Sequence, residues 1–554
     1  MLALEEERAP PPAAIADAAH LADAERTLKS TMGTTPSSSN GGGRGSGPWT
    51  QCAATKSGVF LLTFVSYVLF HACRKSFSAI KGEMSAEQWM RSSVYSSDQQ
   101  GQMYGLLDTL FMGFYAIGLY ISGVLGDNYD LRKMIAGGMW ATGAIILFFG
   151  LGAFADIRSL SFYAVLWGLN GLIQSCGWPA NVAVMGKWFN QSERGAVLGI
   201  WSGNACFGNI VGTALVTVMF ELFDKTVAWK VALVIAALLT MLHGIVIFFF
   251  LVPDPKLAPY RHTALEDAKP EVAKSPSGGK EASIEMESGT SAKGDEKSIS
   301  FLDAWCIPGV QMALVCVEVV IPYSLSFACL KSVNYALFFW LPFYLTVQLN
   351  MDNSKAALFS MLYDVGQIFG GFAGGYVSDK MGVRSPVVVV MLLFSWYVSP
   401  CFTIYHNISK LTSTSHYSLT IYHFHGASYN MTAFLLLISG FMLGGPANLI
   451  STAISADLGT HESIKGNAGA LSTVTGIIDG TGSIGAAFVQ YLVGYLAECH
   501  NEPKGCDPKS PNCIEVCSWG PVFILLEVGT LLACVCLTQL LYHELLVIRN
   551  RRGQ

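Results

Sequence analysis

Seven stretches of this chain run for 20 residues or more without one Asp, Glu, Lys or Arg: 134–155, 159–186, 195–220, 231–253, 332–351, 385–409 and 411–456. A water-soluble domain carries a charge at about one residue in four, so intervals this long point to a bilayer. About 20 apolar residues in a helix cross the hydrocarbon core, and a helix satisfies its own backbone there. The overall balance agrees, with 52% hydrophobic residues, 13% charged residues and a mean hydropathy of +0.43. A net charge of −5 offers no basic surface to hold a nucleic-acid backbone, which excludes nucleic acid as a partner.

Not every interval is one helix. The stretch 411–456 opens on Thr412, Ser413, Thr414, Ser415 and His416, so a helix is expected only from about Met431. Five further segments, 57–80, 101–126, 356–378, 467–497 and 518–547, are apolar apart from one or two ionisable residues, which gives twelve spanning helices, six and six. Residues 1–56, rich in Ala, Pro, Ser and Gly, are expected to form a disordered cytosolic tail. The acidic opening Glu5, Glu6 and Glu7 carries no expectation of a cleaved signal. The expected domains are a six-helix bundle at 57–253, a hydrophilic cytosolic linker at 254–308, a second bundle at 309–548 and a short tail at 549–554.

A repeat supports that division. Gly123, Asp127 and Arg132 in GVLGDNYDLR recur as Gly375, Asp379 and Arg384 in GYVSDKMGVR, at a constant offset of 252 residues. Each copy lies between the second and third helices of its half, as two parallel repeats about an axis normal to the membrane require. The expected fold is therefore an all-α membrane protein, twelve transmembrane helices in two six-helix bundles.

The pattern G-x3-D-[RK]-x-G-x-R, matched by Gly375 to Arg384 and more loosely by the first copy, resembles the signature loop of the major facilitator superfamily. More specifically, Phe70 to Lys75 (FHACRK), Gly177 to Pro179 (GWP), Lys331 to Tyr344 (KSVNYALFFWLPFY) and Ala453 to Gly459 (AISADLG) look like the sugar-phosphate exchangers of solute carrier family 37. The resemblance covers nearly all of residues 57–548. It implies the major facilitator fold, exchange of phosphate-bearing organic anions, inorganic phosphate as counter-substrate, and a place for the first-helix Arg, Arg74, in the phosphate site. It also exposes a departure from the bacterial organophosphate antiporters of this fold. Their seventh-helix substrate Arg is replaced here by Asn334, and the His that follows the fifth-helix Trp is lost in Trp201 to Cys206 (WSGNAC).

With both ends cytosolic, cytosolic segments hold 22 Lys and Arg and the opposite loops hold nine, although most of the excess lies in the tail and linker. The ninth loop carries the acceptor sequons Asn407-Ile-Ser and Asn430-Met-Thr, of which Asn407 lies farther from the membrane. Asn190-Gln-Ser falls in an expected cytosolic loop. The eleventh loop holds Cys499, Cys506, Cys513 and Cys517, read as two disulfides in an oxidising compartment with three pairings open; zinc is the rival, but no C-x2-C knuckle is present. The resemblance suggests the endoplasmic reticulum membrane, with the lysosomal membrane as the alternative.

Ionisable residues inside a membrane helix cost several kcal/mol unless they face a cavity or a partner, so each is a functional candidate. Arg74 and Lys75, after His71, are read as ending the apolar run of the first helix, and Lys331 as standing near the start of the seventh. A phosphate monoester carries about −1.5 to −2 charge, so two cations, one from each bundle, suit it. Arg74 offers a planar fork and Lys331 a point charge, three residues from Asn334. Against this, Arg74 and Lys75 can snorkel to an interface, and they differ in direction by about 100° on a helix. Arg74, Lys331, Lys75, Asn334 and His71 form the expected substrate set. Asp108, Asp364, Asp479 and Glu527 are expected either to neutralise the buried cations or to carry a coupled proton. Asp127 and Asp379, with Arg132 and Arg384, are expected to cap helix ends and latch one transport state.

The expected function is a secondary transporter that rocks two bundles around a central site. No Walker motif, metal set or cofactor motif is present, and no nucleophile with an acid–base partner marks an enzyme. The alternatives are a carrier of a different organic dianion and a non-transporting receptor or partner subunit. The linker and the cysteine insert are candidate contacts for an auxiliary membrane protein, without a readable motif.

Overall fold

A computed structural model describes residues 54–96, 99–189, 197–198, 200–258, 321–349, 351–397, 429–451, 471–497, 499–502, 514–517 and 519–552. Asn190, Asn407, Cys506, Cys513, almost all of the tail 1–56 and most of the linker lie outside them.

The first half contains α1 (Lys56–Ala86), α2 (Gln100–Asn128), α3 (Leu131–Phe154), α4 (Leu160–Gln174), α5 (Gly177–Trp188), α6 (Asn204–Leu222) and α7 (Lys225–Phe250). The second contains α8 (Ile321–Val347), α9 (Asn353–Met381), α10 (Ser385–Tyr397), α11 (Tyr429–Leu449), α12 (Leu471–Leu496), α13 (Gly520–Cys536) and α14 (Thr538–Arg552). Among the described residues eight helices are long and apolar enough to cross a membrane, and α13 with α14, bent by 48°, make a ninth. Helices α4 and α5 divide the fourth expected span. Pro179 supplies no N–H to the Ser175 carbonyl four residues back, and Ser122 on α2 donates to that carbonyl instead, at 3.1 Å.

Local chemistry sets several ends. Thr55 caps α1 by accepting the Gly58 N–H, Asp130 caps α3, and Asp352 caps α9. Helix α9 stops at Gly382, whose φ of +67° suits a residue without a side chain.

Helix partnerships repeat between the halves. Helix α1 packs on α6 as α8 does on α12, α2 on α4 as α9 on α11, and α3 on α7 as α10 on α13. The halves meet along α2–α12, α6–α9 and α1–α8. On the first seam a Cβ on Gly105 would stand 2.8 Å from the Gly494 Cα, so this backbone approach requires glycine. Spanning helices alternate in direction, which defines two faces. The terminal face holds the start of α1 and the end of α14; the hairpin face holds β1 (Cys499–Glu502) and β2 (Ile514–Cys517), an antiparallel pair between α12 and α13.

Two helix boundaries differ from expectation. Helix α8 is already formed at Ile321, so Lys331 sits mid-helix rather than near the start. Helix α1 runs on to Ala86, so Arg74 and Lys75 do not end it, and both are buried away from any interface. The extension also draws Lys81, expected in a loop, into the helix, where it is fully buried against Asp108 on α2. A partner at each ammonium removes the reason to end the helix at its cations.

Candidate functional site

Pro342 interrupts α8 and leaves the Phe338 carbonyl without its helical donor. Helix α1 takes up that acceptor: Lys75 Nζ donates to it at 2.9 Å and Ser78 Oγ at 2.8 Å. Ser78 also reaches the Phe339 carbonyl at 3.0 Å and Lys81 the same oxygen at 3.3 Å. Residues 75, 78 and 81 recur every three positions, so they form one stripe that seals α1 to α8 on the hairpin side. Farther out, Glu83 accepts from Asn353 at 2.6 Å and Glu221 from Ser354 at 2.9 Å. Lys225 pairs with Asp352 at 2.6 Å, and that hydrogen bond holds the exposed Asp352 carboxyl below the usual range. Burial pushes the Glu87 carboxyl up.

Below this seal lies a cavity of about 90 Å³ between the halves. Its walls include Tyr67 and His71 from α1, Lys331, Asn334 and Tyr335 from α8, and Asp479 from α12. Ser202, Ala205, Asn448 and Ser451, at the terminal-face ends of the walls, extend it toward that face.

Arg74 is fully buried just behind the wall. Its Nε donates to Gln174 at 2.5 Å and its Nη1 to the Tyr335 hydroxyl at 3.2 Å, while the guanidinium lies 4.5 Å from the centroid of Tyr115. Among the described residues neither Arg74 Nη2 nor the Tyr115 hydroxyl makes a well-formed hydrogen bond, although both are buried. Lys331 approaches from the other half, 5.4 Å from the Tyr115 centroid and 5.2 Å from that of Tyr335. It is also ion-paired with Asp479 at 2.6 Å and bonded to Ser483 at 2.8 Å. Two cations from opposite bundles thus converge on two tyrosines, one holding a spare donor and the other held by a carboxylate that an arriving anion must displace.

The remaining expected site residues divide. Asn334 lines the cavity, but its amide is committed, accepting from Tyr363 at 2.6 Å and donating to the Leu443 carbonyl at 3.3 Å. Lys75 and Asp108 belong to the seal and the core rather than to the cavity wall. Asp364 accepts from Asn209 at 2.6 Å, and Glu527 is buried on α13, away from the cavity lining. Asp127 accepts from the Thr473 backbone at 3.1 Å and its hydroxyl at 2.5 Å, capping α12 across the seam; Arg132 pairs instead with Asp130 at 3.6 Å. Asp379 stays within its own half, paired with Arg384 at 2.5 Å, while Glu544 caps the start of α10 through the Arg384 and Ser385 N–H groups. Asn430 is exposed near the hairpin-face end of α11. Cys499 and Cys517 lie opposite each other in the β-ladder. Among the described residues no cluster could hold a metal ion.

The sequence reading missed Tyr67, Tyr115, Tyr335, Gln174, Asn209 and Lys81. Only Lys81 carried a signal, as a third basic residue in helical register with Lys75 and Ser78.

Comparison with known proteins supplies the wider context. The Major Facilitator Superfamily profile matches residues 63–489. Mouse (Mus musculus) sugar phosphate exchanger 3 is 39% identical over 463 residues, 79% of this chain and 87% of that one. Cattle (Bos taurus) glucose-6-phosphate exchanger SLC37A2 is 33% identical over 518 residues, 89% and 95% of the two chains. The fold also matches a bacterial homologue of the human lysosomal transporter Spinster, at TM-score 0.51 and 14% identity over 92% of this chain and 98% of that one. The xylose transporter XylE from E. coli matches at 0.53 and 11%, over 87% and 97%. The chain belongs to the major facilitator superfamily and, within it, to the sugar-phosphate exchangers of solute carrier family 37.

Proposed function

We propose that this protein is a secondary transporter of phosphate-bearing organic anions that exchanges a sugar phosphate for inorganic phosphate by alternating access. It is a transporter and not an enzyme. The carrying observation is the meeting of Arg74 and Lys331, one from each six-helix half, around Tyr115 and Tyr335 beside the central cavity. A dianion needs about two cations to leave water, and drawing one from each half makes substrate itself the tie that lets the halves rock together. Asp479 keeps Lys331 compensated; a phosphate that enters takes over that ammonium and the spare Arg74 Nη2.

Lys75, Ser78 and Lys81 form the gate toward the hairpin face, and Asp127 on Thr473 fastens the terminal end of the α2–α12 seam. We place the terminal face in the cytosol and the hairpin face in the lumen of the endoplasmic reticulum, or of the lysosome as the alternative. The commitment of Asn334 to Tyr363 and Leu443 supports one second reading, a carrier for another organic dianion, because Asn334 brings no charge where related antiporters carry Arg.

The test is uptake of labelled phosphate into proteoliposomes preloaded with phosphate, glucose 6-phosphate, a bisphosphonate or buffer. Trans-stimulation by phosphate and glucose 6-phosphate, lost in Arg74→Ala and Lys331→Ala, is expected. Stimulation by the bisphosphonate alone would move the reading to another dianion.

A further inference from the structure

We propose that Asp364 and Asn209 lock His71 in one tautomer, so that the cavity offers a hydrogen-bond acceptor and selects phosphate species that still carry a P–OH. The inference rests on the phosphate reading of the site and adds two positioning residues and a rule for which anion fits.

Three helices and both halves build the chain of bonds. His71 on α1 holds its Nδ1 2.9 Å from the Asn209 Oδ1 on α6, and the Asn209 Nδ2 donates to the Asp364 Oδ1 on α9 at 2.6 Å. All three side chains are buried, Asp364 at 1% exposure. A carboxylate only accepts, so the amide nitrogen of Asn209 faces Asp364 and the amide oxygen faces His71. That oxygen also only accepts, so His71 Nδ1 carries the proton. In the neutral ring Nε2 is then a bare acceptor. His71 lines the cavity, and among the described residues Nε2 has no hydrogen bond. Tyr67 against one side of the ring, at 4.9 Å between centroids, and Phe338 at 6.1 Å hold its orientation.

An acceptor beside two cations reads a property that charge alone does not. Inorganic phosphate near neutral pH keeps at least one P–OH and can donate to Nε2. Sulfate is a dianion of the same shape with no proton to give. Arg74 and Lys331 by themselves favour sulfate, the more highly charged of the two, so a preference for phosphate reports the acceptor. A sugar phosphate satisfies the same acceptor as its monoanion or through a sugar hydroxyl.

The experiment measures phosphate and sulfate as competitors of labelled phosphate uptake in proteoliposomes, and as ligands by thermal shift of the purified protein, which reads binding in a variant that no longer transports. Wild type is expected to prefer phosphate by about tenfold or more, the scale of one hydrogen bond made or missed. Asn209→Leu releases the tautomer and His71→Phe removes the acceptor, so each should bring the ratio to one or below. Asn209→Asp shares one proton with Asp364, keeps an oxygen facing Nδ1 and should retain the preference. Equal affinity for the two anions in wild type, or a preference that survives both Asn209→Leu and His71→Phe, overturns the proposal. Absence of phosphate binding by wild type instead removes the transport reading beneath it. If one loss variant does not fold, the other and Asn209→Asp still decide.

Discussion

Arg74 and Lys331 share one aromatic ring: the guanidinium lies 4.5 Å and the ammonium 5.4 Å from the centroid of Tyr115. Two like charges brought this close from opposite bundles repel, and the ring's negative face offsets part of that repulsion and so holds the pair in place for an anion. Tyr115→Phe keeps the ring and should leave exchange within about twofold of wild type, whereas Tyr115→Ala should cost about 0.5–2 kcal/mol of substrate affinity. Competition curves on both variants check this, and equal losses would assign the effect to the hydroxyl.

Two buried ion pairs look alike and should behave differently. Lys81→Met strands Asp108 in the core, and Lys331→Met strands Asp479 beside the cavity; each should destabilise by about 3–5 kcal/mol in thermal unfolding. The double variants Lys81→Met/Asp108→Leu and Lys331→Met/Asp479→Leu should both regain most of that stability. Only the first should regain exchange. Recovery of transport in the second would remove Lys331 from the substrate site.

Restoring an N–H at position 342 should open the hairpin side. In Pro342→Ala the Phe338 carbonyl regains a helical donor, and Lys75 and Ser78 lose exclusive use of it. Spin labels at Ala86 and Lys355, one on each half, should show a larger long-distance population in electron–electron resonance. An unchanged distribution would mean that the seal is held elsewhere.

Acidification should leave the Lys225–Asp352 pair of that seal in place. Asp352 has its folded pKa lowered by Lys225, so the pair contributes above the ordinary Asp range and is lost only as pH falls through the lowered value. In a Glu83→Gln background, which removes the carboxyl bonded to Asn353 beside it, the same labels should therefore report no change between pH 7.5 and about 5, because an unperturbed Asp already titrates near 3.9. Both partners are exposed, so high salt should weaken the pair.

The strand register chooses among the three disulfide pairings. Cys499 faces Cys517, and opposed residues in an antiparallel pair have Cα atoms about 4.5–5.5 Å apart, within the disulfide range. Non-reduced peptide mapping should recover Cys499 linked to Cys517, which leaves Cys506 for Cys513. A cross-pairing with either inner cysteine would contradict the register.

The membrane-spanning all-α class, the pairing of two halves and the repeat were legible because a bilayer imposes length and hydropathy on every crossing. The helix termini were not, since a rule that ends spans at charges fails where the charges are paired inside. That rule placed Lys81 in a loop and so left Asp108 without a partner in the reading. Asp127 was legible as a helix cap, but its partner Thr473 is 346 residues away and nothing local points to it. The tyrosines and Asn209 escaped notice because uncharged polar residues are common in membrane helices, and their roles come from packing between helices rather than from spacing.

The acceptors that α1 grips on α8 are main-chain oxygens, one of them freed by a single proline. The hydrogen bonds of the seal thereby do not depend on the identity of the α8 side chains, although the rings of Phe338, Phe339 and Trp340 also face its ammonium groups. Other side chains of the helix can drift toward new cargoes over evolutionary time without breaking those bonds, so substrate choice and gating can be inherited as largely separate traits in this helix.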